Sequence, residues 1–582
     1  MTPVLAWPIV GFLGLLIYRR VLIGYQDPIS LGLISDLLLI AIMFFLSIKR
    51  ESRFIKVSSS LLALYILLYY WLDTCVMVAV SYRLTWDLFL ANYKYINAAE
   101  YFISPKLVIF TLFIFLFPLA LCRKVFALPF KTSSTTFLSY QAMFIFTAAD
   151  LATDHILYTK EEGRALMLDK HPSSFTKSIK EETLATVHQK YSSVSEKATH
   201  FLQGDPWKTL PNKSVNQPNI LIILSESLSG VDSNYAGGLF DRLPNIDKIQ
   251  EDGIAFKHAS SNGKITVHGL ASLLLGLQPI KTGGYKIAAE QFPPEKFSTN
   301  NLIAYAQKAG YQPIIISAGQ PRHWFELTNW FKTIGFRTVY DEQSDEFKNA
   351  PRFTWNAPSD EAMYALAKKL IPQEKKPFLL VIETVSLHQP YILPDEKYHI
   401  SNSGLLNQIH YVDETTYAFY QYLKEKTTFF NNGLFVLVGD HRRFEPLESK
   451  ELENGGYAEW HERIVATIVG HHVTPKATFD KPFSLIDMNI LLHHILGGYT
   501  AIDNKFISNS NLSTLLGYHE PFSVTLADES NGSYLVRSAP YPPMYFSVFG
   551  DIDFNKIPYD LYKGAAVYLI NNHQYVTETL TK

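Results

Sequence analysis

Cysteine is nearly absent from this chain, which has two in 582 residues, Cys75 and Cys122, both within apolar stretches. A soluble part held together by a disulfide framework is therefore excluded. The chain also has almost no net charge, since its 52 Lys and Arg residues nearly balance its 54 Asp and Glu residues. No run of basic residues is long enough to follow a phosphate backbone, which argues against a nucleic-acid-binding protein.

Long apolar runs are confined to the first quarter of the chain. A bilayer core of about 30 Å requires roughly 20 mostly apolar residues per helix. Segments that approach or meet this requirement, the last of them short and ending at Asp150, are 4–18, 29–48, 57–80, 107–122 and 137–149. A cleaved signal peptide is disfavoured because no small-residue cleavage site separates the first two. The sequence therefore predicts an α-helical transmembrane domain of about five spans over 1–153.

The short loops between these spans carry a small excess of Lys and Arg on the inner side when the N-terminus is placed inside. Positive residues favour the cytoplasmic side of a membrane. This bias predicts a multi-pass protein whose large C-terminal domain lies outside the cytoplasm. The polar segment 154–216, with its Lys- and Glu-rich run, is expected to form a helical linker along the membrane surface.

From residue 217 onward, short apolar runs alternate with helix-length segments; the runs are 219–224, 313–317, 378–383 and 434–438. Buried runs of this length, separated by helices, are typical of parallel strands with crossover helices. An α/β domain with a mostly parallel central sheet is therefore expected over 217–511. The remaining segment, 512–582, is rich in Tyr and Pro and is expected to form a small β-rich subdomain.

Polar side chains follow three of these runs, at the edge of an α/β sheet where ligands gather. They are Glu226 after the first run, His388 after the third, and Asp440 and His441 after the fourth, while Thr266 precedes an apolar helix-like segment. A glutamate, a threonine and an Asp-His pair offer three oxygens and one nitrogen, which suit one divalent cation. A cation and a helix N-terminus both favour the alkoxide of threonine, a poor nucleophile by itself.

Structural roles are the alternative for the same residues. Threonine is common at helix N-caps, so Thr266 fits that position as well. Asp440 and His441 suit an ordinary turn after a strand, and His388 suits a structural hydrogen bond. Glu226 is better explained as a ligand, because an unpaired carboxylate after a buried run is costly.

Four motifs occur in a specific order along the chain: PNILIILSES, GKITVHGLASLLLG, SLHQPY and VGDHRR. With them, and with the predicted spans before the catalytic domain, the chain resembles the lipoteichoic acid synthase and phosphoglycerol transferase group of the alkaline phosphatase–sulfatase superfamily. The resemblance implies Glu226, Thr266, Asp440 and His441 as ligands of one divalent metal ion, Mn, Mg or Zn. It also implies that Thr266 becomes covalently loaded, and that His388 contacts the phosphoryl group or protonates the departing oxygen.

The activity implied by the resemblance is transfer of a phospholipid head group, phosphoglycerol first among the candidates. The donor is a membrane phospholipid, the acceptor is an envelope glycan or glycolipid, and diacylglycerol is released. The implied location is a bacterial inner (cytoplasmic) membrane, with the catalytic domain in the periplasm or outside the cell. Three alternatives stay open: a phosphoethanolamine transferase, a sulfatase or phosphodiesterase-type hydrolase, and a catalytically silent lipid-sensing protein.

Departures from the related patterns narrow these alternatives. The sulfatase signature, Cys or Ser followed by x-Pro-x-Arg, is absent around Thr266, and the cysteines common in phosphoethanolamine transferases of lipid A are missing. Trp324 matches a substrate-binding tryptophan of the synthases, but the arginine expected after it is missing and only Arg322 stands nearby. His461 lies where related enzymes often have a histidine for substrate or a second metal, and Lys264 near Thr266 suits a phosphate contact or a solvated side chain.

Overall fold

The computed structural model describes the C-terminal part of the chain with gaps, at 217–280, 291–299, 301–318, 327–352, 357–371, 377–388, 391, 393, 395–445, 447–470, 473–497, 522–528, 533–538, 541–547, 562, 565, 566, 568–570 and 572. All of these residues belong to one compact unit, Lys170–Lys582. The predicted spans and the predicted linker lie outside them. None of the helices in the described ranges is both long enough and apolar enough to cross a bilayer.

Within the described residues, eight strands form the central sheet. They are β1 Asn219–Ser225, β2 Ile254–Ser260, β3 Gln312–Ser317, β4 Thr338–Tyr340, β5 Phe378–Glu383, β6 Gly433–Gly439, β7 Ala466–Gly470 and β8 Ala477–Ser484. Their spatial order is β4-β3-β5-β1-β6-β7-β2-β8. Strand β7 runs antiparallel to its neighbours β6 and β2, while the other pairs are parallel. The mostly parallel sheet expected from the sequence is confirmed.

Both faces of this sheet are covered, and the strand sequences show why. In β1, Ile220, Ile222 and Leu224 belong to one apolar core, whereas Leu221 and Ile223 belong to the core on the other face. Side chains alternate between faces along a strand, so a strand buried on both sides becomes a continuous apolar run. This continuous apolar run is the feature of the sequence that predicts the strand.

Helices pack on the two faces. Their bounds are α1 Pro244–Glu251, α2 Thr266–Leu270, α3 Pro294–Phe297, α4 Leu302–Lys308, α5 Leu327–Ile334, α6 Asp360–Leu370, α7 Gly404–Lys426, α8 Ser449–Glu453, α9 Gly456–Trp460 and α10 Leu485–Leu496. Short 3-10 turns lie at Gly230–Asp232, Asp345–Phe347, Glu396–Tyr398 and Phe429–Asn431. Helices α2, α4, α5 and α10 contribute to one core, and α1, α6 and α7 to the other. This layering is the α/β arrangement in which a sheet is sandwiched between helices.

Helix α2 begins at Thr266 and continues without a break into a π-helical turn, Ala271–Leu275. The turn ends at Gly276, whose φ of +70° is readily adopted by glycine. Helix α10 packs beside this turn. At the start of α10, the carboxylate of Asp487 accepts hydrogen bonds from the backbone N–H and the hydroxyl of Ser484, at 2.7 and 2.8 Å.

A separate antiparallel sheet lies within the segment 512–582. Its strands are β9 Phe522–Asp528, β10 Ser533–Ser538 and β11 Met544–Ser547, in the order β11-β10-β9. Phe522, Val524, Tyr534 and Val536 form an apolar core of its own with Tyr562 and its neighbours. The domain boundary at 512 stays a prediction.

Candidate active site

The pairing of β1 with β6 places two acidic residues side by side. The strands are parallel, and Ser225 at the end of β1 lies opposite Gly439 at the end of β6. The next residue on each strand is therefore an acid at the same edge of the sheet, Glu226 on one and Asp440 on the other. His441 follows immediately, so a long-range strand pairing assembles three candidate ligands.

These three side chains form a compact buried cluster. Nε2 of His441 lies 3.3 Å from Oε1 of Glu226 and 3.4 Å from Oδ2 of Asp440. One ligand atom from each residue lies within 4.8 Å of the others. The exposed fraction is 2% or less for all three residues. Such a set of ligand atoms is what a single divalent cation requires.

Thr266 joins this cluster from the other side. Its hydroxyl donates a hydrogen bond to Oε2 of Glu226 at 3.1 Å, and its Oγ1 lies 3.5 Å from Nε2 of His441. Ile265, with extended backbone, occupies the N-cap position, so Thr266 is the first helical residue and not the cap. The interpretation of Thr266 as an N-cap is therefore wrong, and its hydroxyl faces the acidic cluster.

Close contact between α2 and β6 brings the threonine this near. A Cβ atom added to Gly269 would lie 2.6 Å from the backbone oxygen of Asp440. A side chain at this position would push the helix away from the acidic residue. Glycine is thus required here for space.

Backbone amides orient the carboxylate of Asp440. Its Oδ1 accepts hydrogen bonds from the backbone N–H groups of Ser227 and His441, both at 2.7 Å. Its Oδ2 is buried and accepts no hydrogen bond from any described residue. The hydroxyl of Ser227 donates to Oε1 of Glu226 at 2.8 Å. Ser227 therefore holds both carboxylates, and one buried oxygen of Asp440 is left for a cation.

The imidazole of His441 is held in one tautomer. Its Nδ1 lies 2.8 Å from the backbone oxygen of Arg442, and a carbonyl oxygen can only accept, so Nδ1 carries the proton. In the neutral ring, Nε2 then has its lone pair available for a metal.

The pKa shifts in the cluster indicate that its carboxylates are stabilised by a nearby positive charge. Burial, together with the charge of Glu226, raises the pKa of Asp440 well above its usual value. Burial alone would lower the pKa of His441, but the carboxylates of Asp440 and Glu226 outweigh it and raise this pKa to about 10. Burial would raise the pKa of Glu226, yet the protonated His441 lowers it to about 2. A divalent cation would supply the same positive charge, so the residues present fit a metal site.

His388 lies near this cluster at the end of β5, which pairs with β1. Its ring contacts Phe444 with a centroid distance of 5.6 Å, and the ring of Phe444 is 4.8 Å from that of His441. Two residues earlier, the hydroxyl of Ser386 donates to Oδ1 of the buried Asp360. The loop bearing His388 is thereby fixed to the first turn of α6.

Charged residues surround His461 beside the cluster. It is 9% exposed. Burial, followed by the charges of Lys264, Arg537 and Arg442, holds its pKa well below the usual value. The charge of Lys264, two residues before α2, thus acts on His461, and the substrate-binding roles of both residues stay predictions. Trp324 and Arg322 lie outside the described residues.

Sequence reasoning missed several residues that shape this site. Ser227 gives no signal beyond its position after a strand, and its φ of +54° is visible only in the structure. Glu462, which accepts a hydrogen bond from the backbone N–H of Arg442 at 3.0 Å, also has a positive φ, +57°. Positive φ values in residues other than glycine often mark functional sites, but no sequence pattern predicts them.

Known proteins share this fold. Residues 218–472 match the model of the sulfatase family. An ulvan-active sulfatase from Formosa agariphila is 26% identical over 198 residues, 31% of this chain and 38% of that protein, so the chain spans well under half of that relative's length.

Two solved structures are similar to the chain. One is a protein in the alkaline phosphatase superfamily from Vibrio parahaemolyticus, with a TM-score of 0.51 and 19% identity over 69% of this chain and 98% of that one. The other is the lipoteichoic acid synthase LtaP from Listeria monocytogenes, with a TM-score of 0.49 and 16% identity over 66% and 98%. At these identities the likeness concerns the fold. Residues 218–472 are thus similar to a sulfatase-family domain, and the chain has a fold similar to that of the Vibrio protein.

Proposed function

We propose that this chain is a metal-dependent transferase that moves a phospholipid-derived phosphoglycerol group through a covalent intermediate on Thr266. The acceptor is an envelope glycan or glycolipid, and diacylglycerol is the other product. The observation that carries this proposal is the position of the Thr266 hydroxyl, 3.1 Å from Glu226 and 3.5 Å from His441 in a buried cluster of candidate metal ligands. Threonine at this position, in place of the sulfatase signature, favours phosphoryl transfer over sulfate ester hydrolysis.

Glu226, Thr266, Asp440 and His441 would hold one divalent cation, Mn, Mg or Zn. When bound, such a cation favours the threonine alkoxide and stabilises negative charge on phosphoryl oxygens. The buried Oδ2 of Asp440, which no described hydrogen-bond donor satisfies, supports this assignment.

In the first step, Oγ1 of Thr266 forms a bond to the phosphorus of the donor phosphodiester, and the bond from phosphorus to the diacylglycerol oxygen breaks. The hydroxyl proton leaves toward Oε2 of Glu226, which already accepts its hydrogen bond. The diacylglycerol oxygen takes up a proton, for which His388 is the candidate donor.

In the second step, an acceptor hydroxyl forms the new bond to phosphorus, and the bond to Oγ1 of Thr266 breaks. The proton of the acceptor passes to His388, and Thr266 regains its own from Glu226. Both residues then return to their starting protonation states, so the cycle balances.

The predicted spans would attach the catalytic domain to the membrane that contains its phospholipid donor. They would hold the catalytic domain at the outer surface of a bacterial inner membrane, where the phospholipid donor lies. Tethering raises the effective concentration of the site relative to the donor.

The test measures diacylglycerol release by the full-length protein from liposomes that contain phosphatidylglycerol or phosphatidylethanolamine, with Mn²⁺ or Zn²⁺. We expect release from phosphatidylglycerol, its loss in Thr266→Ala, and a phosphoglycerol adduct on Thr266 by mass spectrometry. Thr333→Ala is a matched control, because that hydroxyl is exposed and donates only to Asn329 within α5. Release that survives Thr266→Ala would show that the nucleophile is another residue.

The same assay separates the alternatives. Release from phosphatidylethanolamine alone would identify a phosphoethanolamine transferase. Quantitative release of free glycerol phosphate when an acceptor glycolipid is present would identify a hydrolase. No release from either lipid with either metal would contradict the proposed transferase.

A further inference from the structure

The C-terminal sheet contacts the loop that leads to Thr266. We call residues 261–265 the nucleophile loop. The backbone N–H of Leu526 in β9 donates to the backbone oxygen of Asn262 at 2.9 Å. The side-chain amide of Asn262 donates in return to the oxygen of Val524, also at 2.9 Å. Strand β9 therefore binds the loop through its backbone, much as it would bind another strand.

Arg537 on the neighbouring strand β10 links this contact to a second loop. The hydroxyl of Thr525 donates to the oxygen of Ser261 at 2.7 Å and lies 3.5 Å from Nη1 of Arg537. Nε of Arg537 donates to the oxygen of Ala458 at 2.8 Å, and Nη2 donates to the oxygen of His461. One guanidinium thus joins β9 to the segment 458–462.

That segment leads directly to the candidate metal ligands. The backbone N–H of Ser261 donates to the oxygen of Glu462 at 2.8 Å. The carboxylate of Glu462 accepts from the backbone N–H of Arg442 at 3.0 Å, and the oxygen of Arg442 accepts from Nδ1 of His441 at 2.8 Å. A short series of hydrogen bonds therefore connects Arg537 to the imidazole of His441.

A buried guanidinium is stable only where its N–H groups donate hydrogen bonds. Arg537 is 6% exposed, and removing a charge from water costs several kcal/mol unless its hydrogen bonds are made. Its Nε, Nη1 and Nη2 each contact a different acceptor, which suits the planar fork of arginine and not the single ammonium of lysine. This geometry fixes the distance between β9 and segment 458–462.

We propose that Arg537 is a positioning residue for the reaction, which holds the nucleophile loop and segment 458–462 so that Thr266 and His441 keep their mutual distance. The activity readout of this inference rests on the proposed function. Arg537 touches none of the reacting groups. The segment 512–582 is in this view a support of the active site, although the sequence assigned it no role.

The test compares Arg537→Gln and Arg537→Lys with the wild type in the full-length protein. We expect the Kd for Mn²⁺, measured by calorimetry, to rise by up to about tenfold, the lower end of the effect of residues that contact metal ligands directly. The kcat for diacylglycerol release should fall about as much while KM for the lipid stays unchanged. Arg537→Lys keeps the charge but not the fork, so it should restore only part of the loss.

The matched control is Tyr562→Phe, which removes a part-buried hydrogen bond from the Tyr562 hydroxyl to the oxygen of Pro542 within the same subdomain. It should leave the Kd for Mn²⁺ and the kcat unchanged. If it raises the Kd and lowers the kcat as much as Arg537→Gln does, general loosening of the subdomain explains the result and the inference is wrong.

Two further outcomes are decisive. Arg537→Gln protein with wild-type Mn²⁺ affinity and kcat would overturn the inference. Should that variant not fold, Thr525→Val takes its place, because it removes the contacts of the Thr525 hydroxyl to Ser261 and to Nη1 of Arg537. A wild type that binds Mn²⁺ but releases no diacylglycerol would refute the proposed function, and the Mn²⁺ affinities would still decide the role of Arg537.

Discussion

The backbone N–H of Ser227 donates a hydrogen bond of 2.7 Å to Oδ1 of Asp440, a residue 213 positions later in the chain. The same serine donates its hydroxyl to Oε1 of Glu226 at 2.8 Å. Ser227 therefore orients both acidic residues, and its φ of +54° is the backbone conformation that allows it. Residues that orient metal ligands in this way affect metal binding although they do not touch the metal.

Substitution of Ser227 tests this relationship. Ser227→Ala removes the hydroxyl contact to Glu226, so we expect the affinity for Mn²⁺ to fall about tenfold, measured by calorimetry. Ser298→Ala is the control, because that exposed hydroxyl donates only to the oxygen of Glu295. An unchanged affinity in Ser227→Ala would show that the backbone contacts alone orient the carboxylates.

Metal removal should destabilise the catalytic domain. Without a cation, the buried Glu226 and Asp440 repel each other, and the charge of Glu226 adds to burial in raising the pKa of Asp440. A ligand that binds only the folded state at 100 times its Kd adds about 2.7 kcal/mol of stability. We expect Mn²⁺ to raise the thermal midpoint of chelator-treated protein. Asp440→Ala should abolish most of that rise, and an equal rise in both proteins would place the cation elsewhere.

Gly269→Ala should separate the nucleophile from its neighbours. The new methyl group would meet the backbone oxygen of Asp440 at 2.6 Å, so α2 must move. Near-attack geometry tolerates little displacement, and a shift of about 1 Å can cost 100-fold in rate. We expect a loss of this order in diacylglycerol release. Gly404→Ala, whose methyl group would lie 3.2 Å from Cβ of Tyr391, is the control and should retain activity.

Asp360 is expected to make the free energy of unfolding depend on pH. Burial raises the pKa of its carboxyl from 3.8 to about 7. The folded protein therefore binds this proton more tightly than the unfolded chain, so the contribution to stability is complete below about pH 4 and is lost as the pH rises to about 7. Asp360→Asn should flatten this part of the profile in urea unfolding measured from pH 4 to 8. A variant with the same slope as the wild type would assign the dependence to other groups.

Half of the central sheet can be predicted from the sequence, for a physical reason. Strands β1, β3, β5 and β6 lie in the interior of the sheet and are covered on both faces, so each contains an unbroken apolar run. Strand β8 is at the edge and carries the exposed Asp480 and Lys481, and its neighbour β2 includes the partly exposed Lys257 and His258. Polar residues on the solvent side interrupt the apolar run on which the prediction depends.

The residues of the candidate site likewise fall into two groups, those that the sequence predicts and those that only the structure shows. Glu226, Asp440 and His441 follow predictable strands, and Thr266 precedes a recognisable helix, so the sequence identifies them together. Ser227 and Arg537 act through backbone geometry and contacts with distant segments, which no local pattern records.

The parallel pairing of β1 with β6 determines when the candidate site can form during synthesis of the chain. Glu226 and Thr266 leave the ribosome long before β6 has been translated, and β1 stays without this neighbour until then. Contacts of such high sequence separation form late and slow the folding of a chain. A cation held jointly by Glu226 and Asp440 would therefore be bound only after β6 has joined β1. A chain interrupted before residue 440 would contain Glu226 and Thr266 but lack Asp440 and His441, two of the three candidate metal ligands.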